Sequence, residues 1–328
     1  MKKNIYYSMV VLLAGLSFGA CSNDDSEQTT QPRQPRPLTI EVTENPLIGE
    51  GETRAAITTT STLTAFNLNY VYGTDQTGSR SATKNGERKW TSGGGWPNID
   101  GGINVNWYAY TDGSFNLTDD ASKLPYINFT VDENSATQKD LLVATASGTL
   151  SGTGGNLSFT FDHACSALRF YAKKSTNLNG YTLSVSSIVL KNVVKQGKYY
   201  YGTGAWTLTD TRSYYTLLSS AKMLTSNAYE LLNGSENDSY LFLIPQTLTA
   251  WDHSAIASAT TQSYLELTCT ITNTSTSTQV YSGTAYIPFA ISTTSGNPTI
   301  GKGKKYDVKI NIGKNSLYNS SGSLIINP

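Results

Sequence analysis

The sequence predicts an all-β protein. Of its 328 residues, 38% are hydrophobic even without glycine, and only 15% are charged. Thr, Ser and Asn are abundant and there are 21 tyrosines, a composition typical of half-buried strands joined by polar turns. Short alternating segments follow one another between turn residues, with no strand–helix–strand repeat. This pattern favours β-sandwiches over a parallel sheet.

The predicted strands are segments in which apolar and polar residues alternate. In the first of them, Leu38, Ile40 and Val42 share one face, while Thr39 and Glu41 share the other. Only residues 217–232 have a pattern that could be helical. Further strands are predicted at 63–72, 103–110, 126–131, 140–146, 156–170, 181–191, 240–245, 264–272, 279–287 and 305–312.

The chain is long enough for two domains that each bury a core. The turn-rich stretch Ser151-Gly-Thr-Gly-Gly155 is the best boundary, so we expect an N-terminal domain at 38–153 and a C-terminal domain at 154–328. In the long strand at 156–170 the apolar residues change parity. That change predicts a bulge near Cys165.

The N-terminus predicts export. Residues 1–20 begin with a basic Met1-Lys-Lys3 and continue with an apolar run that is too short to span a bilayer, as in a cleavable signal peptide. Phe18-Gly-Ala-Cys21 resembles a lipobox, which predicts cleavage by lipoprotein signal peptidase and an acylated Cys21. Two or more acyl chains form a stable anchor. The alternative is an ordinary signal peptide followed by an incidental cysteine.

The residues after Cys21 indicate a tether. Residues 21–37 are polar and rich in proline, as in an extended linker. Their start, Ser22-Asn-Asp-Asp25, resembles the acidic tract that directs lipoproteins of Bacteroides-type bacteria to the outer face of the outer membrane. A solvated linker with no targeting role is an equal alternative.

No catalytic or metal-binding constellation is evident. Lys and Arg balance Asp and Glu at 24 each, which argues against a nucleic-acid partner. His163 and His253 have no further ligand at a suitable spacing, so we expect no metal, no cofactor and no enzyme activity. Cys165 and Cys269 are predicted to be small buried residues, with a disulfide between them as the alternative. The carboxylate pairs Asp119-Asp120 and Asp132-Glu133 lie in predicted loops.

Six short stretches, in this order along the chain, carry a family resemblance. The chain resembles the fimbrillins, the subunits of the type V pili of Bacteroidales. Membership would imply two tandem transthyretin-like Greek-key β-sandwich domains, of about seven strands each, and assembly by strand exchange. The stretches are Thr53-Arg-Ala-Ala56, Asp140-Leu-Leu-Val-Ala144, Phe159-Thr-Phe-Asp-His-Ala164 with Leu168-Arg-Phe170, Ser187-Ile-Val-Leu190, Leu243-Ile-Pro-Gln246 and Gly303-Lys-Lys-Tyr306.

The resemblance also implies a maturation step. An arginine-specific protease would cut between Arg54 and Ala55 and discard 38–54, including the strand formed by Leu38, Ile40 and Val42. A strand from the next subunit would replace it, and the apolar run of Leu324, Ile325 and Ile326 is the candidate donor. The protein would then pass from a surface-exposed outer membrane lipoprotein to a fimbrium. Its partners would be other fimbrillin subunits and a surface receptor on a host or bacterial cell.

Three functions remain open at this point. The first is a polymerising or capping pilus subunit, with a tip adhesin as a variant of it. The second is a surface lipoprotein that binds glycans and does not polymerise, which the abundant tyrosines could serve. The third is a hydrolase, which would need two carboxylates facing each other across a cleft. Arg54 itself could equally be an exposed loop residue.

Overall fold

In a computed structural model, the described residues are 36, 38–49, 63–86, 89–118, 124–233, 240–291 and 299–326. The predicted sites at Cys21, Arg54 and Ala55 lie outside them. The described residues belong to one compact unit.

Strands dominate this unit, which confirms the predicted all-β class. The described residues include one α-helix, the single turn α1 (Leu150–Thr153), and three 3₁₀ turns, Thr176–Leu178, Ile256–Ser258 and Lys314–Ser316. The strands are β1 (Thr39–Glu44), β2 (Ile48–Gly49), β3 (Ala65–Tyr72), β4 (Gln76–Lys84), β5 (Lys89–Ser92), β6 (Asn104–Tyr110), β7 (Ser114–Asn116), β8 (Tyr126–Thr130), β9 (Leu142–Thr149), β10 (Asn156–His163), β11 (Ser166–Lys174), β12 (Tyr181–Val194), β13 (Gln196–Tyr200), β14 (Ala205–Leu208), β15 (Arg212–Leu218), β16 (Lys222–Leu224), β17 (Glu230–Leu231), β18 (Leu241–Leu243), β19 (Tyr264–Asn273), β20 (Gln279–Pro288) and β21 (Lys304–Ile312).

Seven strands from the first half of the chain form a closed barrel in the order β1-β10-β9-β6-β3-β4-β5, with β5 pairing back to β1. Closure leaves no free edge in this ladder. Its interior is aromatic because the inward positions of several strands carry large rings. These are Phe66, Trp90, Trp107, Phe159 and Phe161, joined by Trp96 from a loop.

The second half of the chain is built around two sheets. One has the order β17-β11-β21-β2, with β18 also on β11, and the other has the order β15-β12-β19-β20, with β16 also on β12. Side chains from both sheets share one apolar cluster, separate from that of the barrel. A fourth sheet, β14-β13-β8-β7, pairs residues 114–130 with residues 196–208.

The predicted bulge near Cys165 is a change of sheet instead. The predicted strand is interrupted at Ala164 and Cys165. Before this point β10 belongs to the barrel, and after it β11 belongs to the sheet with β21. Hydrogen bonds from other segments satisfy the two backbone carbonyls between these strands. The Gly303 N–H donates to the Cys165 carbonyl at 2.9 Å, and the Trp206 indole N–H donates to the Ala164 carbonyl at 2.9 Å. The parity of the apolar residues changes because the two strands face different cores.

The prediction that residues 217–232 could be helical is wrong. These residues form the end of β15, then β16 and β17, which pair with β12 and β11. Leu217, Leu218 and Leu224 are buried in the second core. Their irregular spacing, which suggested a helical face, arises from three short strand segments that enter the same core separately.

Candidate functional site

Strand β1 closes the barrel. It pairs in parallel with β10 along all six of its residues, from Thr39 with Asn156 to Glu44 with Phe161. On its other side, Thr39 to Glu41 pair antiparallel with β5. Without β1, the facing edges of β5 and β10 would both lose hydrogen-bond partners.

The inward face of β1 is packed into the aromatic core. Ile40 is completely buried, and Leu38 and Val42 are 7% and 8% exposed. Ile40 lies in register with Leu157 on β10 and Trp90 on β5. The alternation read from the sequence is therefore present in the packing.

The fourth inward position of β1 is acidic. Glu44 follows Val42 on the same face, and its carboxylate Oε1 lies 2.8 Å from Nε2 of His163 at the end of β10. When His163 is protonated, this contact is an ion pair. On the other side of the ring, Nδ1 contacts the Asp140 carboxylate. These side chains are only 1% (His163), 2% (Glu44) and 3% (Asp140) exposed.

Burial and charge act in opposite directions on this cluster. Burial alone lowers the pKa of His163, but its hydrogen bonds and charge interactions with Asp140 and Glu44 outweigh burial and raise the pKa to about 9. Burial raises the pKa of Asp140, while the hydrogen bond from His163 opposes that rise. At neutral pH the imidazolium therefore joins a carboxylate on β1 to one that precedes β9.

Beyond Glu44 the N-terminal segment continues along the second half of the chain, where it joins a small apolar cluster of its own. The amide of Asn45 donates to the Asp162 carboxylate at 2.7 Å. Leu47 is completely buried with Ala167 and Tyr240, and the backbone of β2 pairs with β21. Residues 38–49 thus contact the barrel and the second half of the chain in succession.

Sequence reasoning missed Glu44 and Leu47. A signal for Glu44 was present, because it continues the inward parity of Leu38, Ile40 and Val42. His163 likewise continues the parity of Phe159 and Phe161. A buried acid and a buried histidine at the ends of two strands indicate an ion pair once the strands are known to be neighbours.

The candidate donor run pairs with its own chain. Leu324 forms an antiparallel bridge with Tyr318, and the Ile325 N–H donates to the Leu317 carbonyl at 3.0 Å. Ile326 is 9% exposed and belongs to the second core, while Leu324 and Ile325 are half-buried. The structure places this run with a different core from that of β1.

An aromatic cluster holds the C-terminal segment. Tyr318 pairs with Tyr286 of β20 through two backbone hydrogen bonds of 2.9 and 3.0 Å. Its ring lies 4.2 Å from that of His253 and 5.9 Å from that of Trp251. This contact fixes the segment that carries Leu324.

The other candidates have structural contacts wherever the structure describes them; Asp119 and Asp120 lie outside the described residues. Cys165 and Cys269 are free and buried, as expected of small core residues. Asp132 accepts a hydrogen bond from Thr137 at 2.6 Å, and Glu133 pairs with Lys195 at 2.6 Å. The described residues contain no cluster of three or more potential metal ligands. None of their helices combines the length and the apolar character of a membrane span.

A cavity of about 510 Å³ lies where the barrel meets the fourth sheet. Its aromatic residues are already engaged: Trp107 is completely buried, and the rings of Tyr108 and Tyr201 contact each other edge to face at 5.0 Å. The Tyr201 hydroxyl donates to the Ala109 carbonyl at 2.9 Å. These rings stabilise a junction and do not form an open stacking platform.

Comparison with known proteins places this architecture. Residues 50–327 match a family described as fimbrillin-like. The structure is similar to that of a fimbrial protein from Bacteroides vulgatus, at 18% identity and a TM-score of 0.53, covering 84% of this chain and 95% of that one. A comparison with curated protein sequences gave no match.

Two further solved structures align over most of their length but with TM-scores below 0.5. A candidate cell-adhesion protein from Bacteroides eggerthii is 14% identical, with a TM-score of 0.49, over 85% of this chain and 87% of that one. The fimbrial anchor protein Mfa2 from Porphyromonas gingivalis is 8% identical, with a TM-score of 0.33, over 84% and 90%.

Proposed function

Since this chain belongs to the fimbrillin-like family, we propose that it is a pilus subunit that is exported as a lipoprotein and assembled by strand exchange. Lipoprotein signal peptidase cuts before the diacylated Cys21, whose acyl chains anchor the protein in the outer membrane. An arginine-specific protease then cuts between Arg54 and Ala55, and the processed subunit joins other fimbrillin subunits in a fimbrium that supports adhesion. The proposed subunit has two domains, at 38–153 and 154–328, with β10 (Asn156–His163) crossing this boundary to pair within the barrel of the first half.

The observation that carries this proposal is the position of β1. It is a single strand near the N-terminus, it lies between two strands of a closed barrel, and the proposed cut would separate it from the rest of the chain. Its removal would leave an apolar groove with two unpaired edges, which is the kind of site that an extended strand of another protein fills.

The energy of this exchange is large enough to hold subunits together. Burial of Leu38, Ile40 and Val42 contributes roughly 5–9 kcal/mol, at ~1.5–3 kcal/mol for each side chain. A strand of similar character recovers this energy when it enters the groove. Because groove and donor are different surfaces, each contact leaves a further groove and a further donor free, and an open filament results.

The C-terminal run is the candidate donor within this chain. Leu324 and Ile325 are only half-buried, and their pairing partner is a short segment around Tyr318. Detaching this run disrupts no strand of the barrel or of the two main sheets. The energetic cost of its release is therefore smaller than that of extracting a core strand.

The test is proteolysis of the soluble chain that starts at Ser22. We expect an arginine-specific protease to cut after Arg54, as read by N-terminal sequencing, and oligomers then to appear on sizing. Arg54→Ala should abolish both results, whereas Arg36→Ala, the matched control, should change neither. A chain that resists cutting at this position contradicts the proposal. A chain that is cut there and stays monomeric points to a cap or to a non-polymerising surface protein.

A further inference from the structure

We infer that the groove beneath β1 selects an incoming strand that carries an acidic residue at the position of Glu44. This inference rests on the strand exchange proposed above and specifies its partner. The occupant is an extended strand of a different subunit, with apolar residues at three alternate positions and Asp or Glu two residues beyond the third.

The register of β1 defines this pattern. Leu38, just before β1, and Ile40, Val42 and Glu44 within it are successive inward positions, and β10 pairs with β1 without a register shift from Thr39 to Glu44. The aromatic barrel core receives the first three side chains. The fourth meets His163 at 2.8 Å. The groove thus has an apolar floor and one polar end.

The polar end needs an acceptor. Because Asp140 already contacts Nδ1 of His163, Nε2 is the ring atom that faces Glu44. When β1 leaves, this N–H loses its partner, and a buried charged donor without a partner costs several kcal/mol. A carboxylate restores the pair with a charge-assisted contact, which is about twice as strong as one to a neutral oxygen.

The surroundings add positive charge at the same end. A cavity of about 320 Å³ opens beside His163 and is lined by Lys302 and Lys304 as well as by Asn45 and Asp162. The two positive charges of these lysines outnumber the single negative charge of Asp162 in the cavity lining. An entering acid would therefore meet a favourable potential before it reaches the imidazolium.

The chain's own C-terminal segment lacks this feature. Residues 308–328, which include the run of Leu324 to Ile326, contain no Asp or Glu. Inserted in the place of β1, that run fills the apolar floor and leaves His163 facing a neutral residue. The groove therefore fits a strand from another kind of subunit better than one from a second copy of this chain.

The experiment uses the full chain from Ser22, cut after Arg54, and compares synthetic peptides in their ability to displace a fluorescent peptide of residues 38–45. A peptide with Glu44→Gln should bind at least about 10-fold more weakly, equivalent to about 1.4 kcal/mol. The matched control, Glu41→Gln, removes the same charge from an exposed outward position and should bind within twofold. A peptide of residues 317–328 should bind more weakly than the 38–45 peptide.

The outcomes separate the two proposals. Equal binding of the Glu44→Gln peptide and the unmodified peptide overturns the acid preference but leaves strand exchange intact. Equal binding of the 317–328 peptide overturns the choice of a different subunit. If no peptide enters the cut chain and no oligomers form, strand exchange fails, and the preference fails with it. In a His163→Gln chain the difference in affinity between the unmodified peptide and the Glu44→Gln peptide should disappear. If this variant does not fold, the peptide comparison on the unmodified chain still tests the proposal.

Discussion

Replacing Ile40 by alanine tests whether β1 is a structural part of the barrel. Ile40 is completely buried between Leu157 and Trp90. The substitution removes three carbons at about 0.8 kcal/mol each, or roughly 2.4 kcal/mol of burial. The surrounding rings cannot collapse fully into the space, which brings the expected loss to about 3 kcal/mol, within the usual range of 2–5 kcal/mol.

Urea unfolding of the intact chain measures this loss. With an m-value of about 3 kcal/mol/M, the midpoint should fall by about 1 M while m stays constant. The matched control is Thr39→Ala on the exposed face of the same strand, which should stay within about 0.5 kcal/mol. If the midpoint of Ile40→Ala moves no further than that of Thr39→Ala, β1 is not packed in the barrel and the reasoning on strand exchange loses its basis.

Three further predictions follow from other contacts. The folded pKa of His163 is about 9, above its unfolded value of about 6.5, so its stabilisation is complete below pH 6.5 and lost as pH rises through 9. The free energy of unfolding should fall by about 3 kcal/mol over this range, and His163→Gln should flatten the profile; an unchanged profile would exclude the buried imidazolium. Gly322 has a φ of +82°, and a Cβ there would lie 1.8 Å from the His253 carbonyl oxygen. Gly322→Ala should therefore loosen the C-terminal segment and speed amide hydrogen exchange at Ile325. Exchange at the native rate would contradict this packing. Burial raises the pKa values of the Cys165 and Cys269 thiols, so both should resist thiol reagents until the protein unfolds. Rapid labelling of the native protein would contradict this prediction, because it would show that the thiols are accessible.

The sequence predicted strands well where one face of a strand is buried and the other is exposed. The first strand and those at 264–272 and 305–312 were found within two residues of their observed ends. Alternation is visible there because each strand has one apolar face. Strand β4, by contrast, is mostly polar, and only Ala82 of its residues is buried. Its strand character comes from pairing with β3 from Gln76 to Thr83, which the local sequence does not reveal.

The candidate site shows the same division. The apolar positions of β1 could be predicted from a five-residue pattern. The ion pair could not, because Glu44 and His163 are far apart in sequence and meet only when β1 lies beside β10. The closed barrel could not be predicted from the sequence either. Its closure depends on the parallel pairing of β1 with β10, the first and the last of the barrel strands along the chain.

That pairing has a consequence for folding. Thr43 contacts Thr160 across a separation of 117 residues, so the barrel cannot close until β10 has been synthesised. Contacts between such distant segments form late, because the loop between them must first lose its freedom. Until then the nascent barrel has two free edges. The covalently attached β1 is present at a high effective concentration beside these edges, and it can occupy them before a strand from another molecule does. Under the proposed strand exchange, β1 would therefore keep these two edges paired within its own chain while the protein folds.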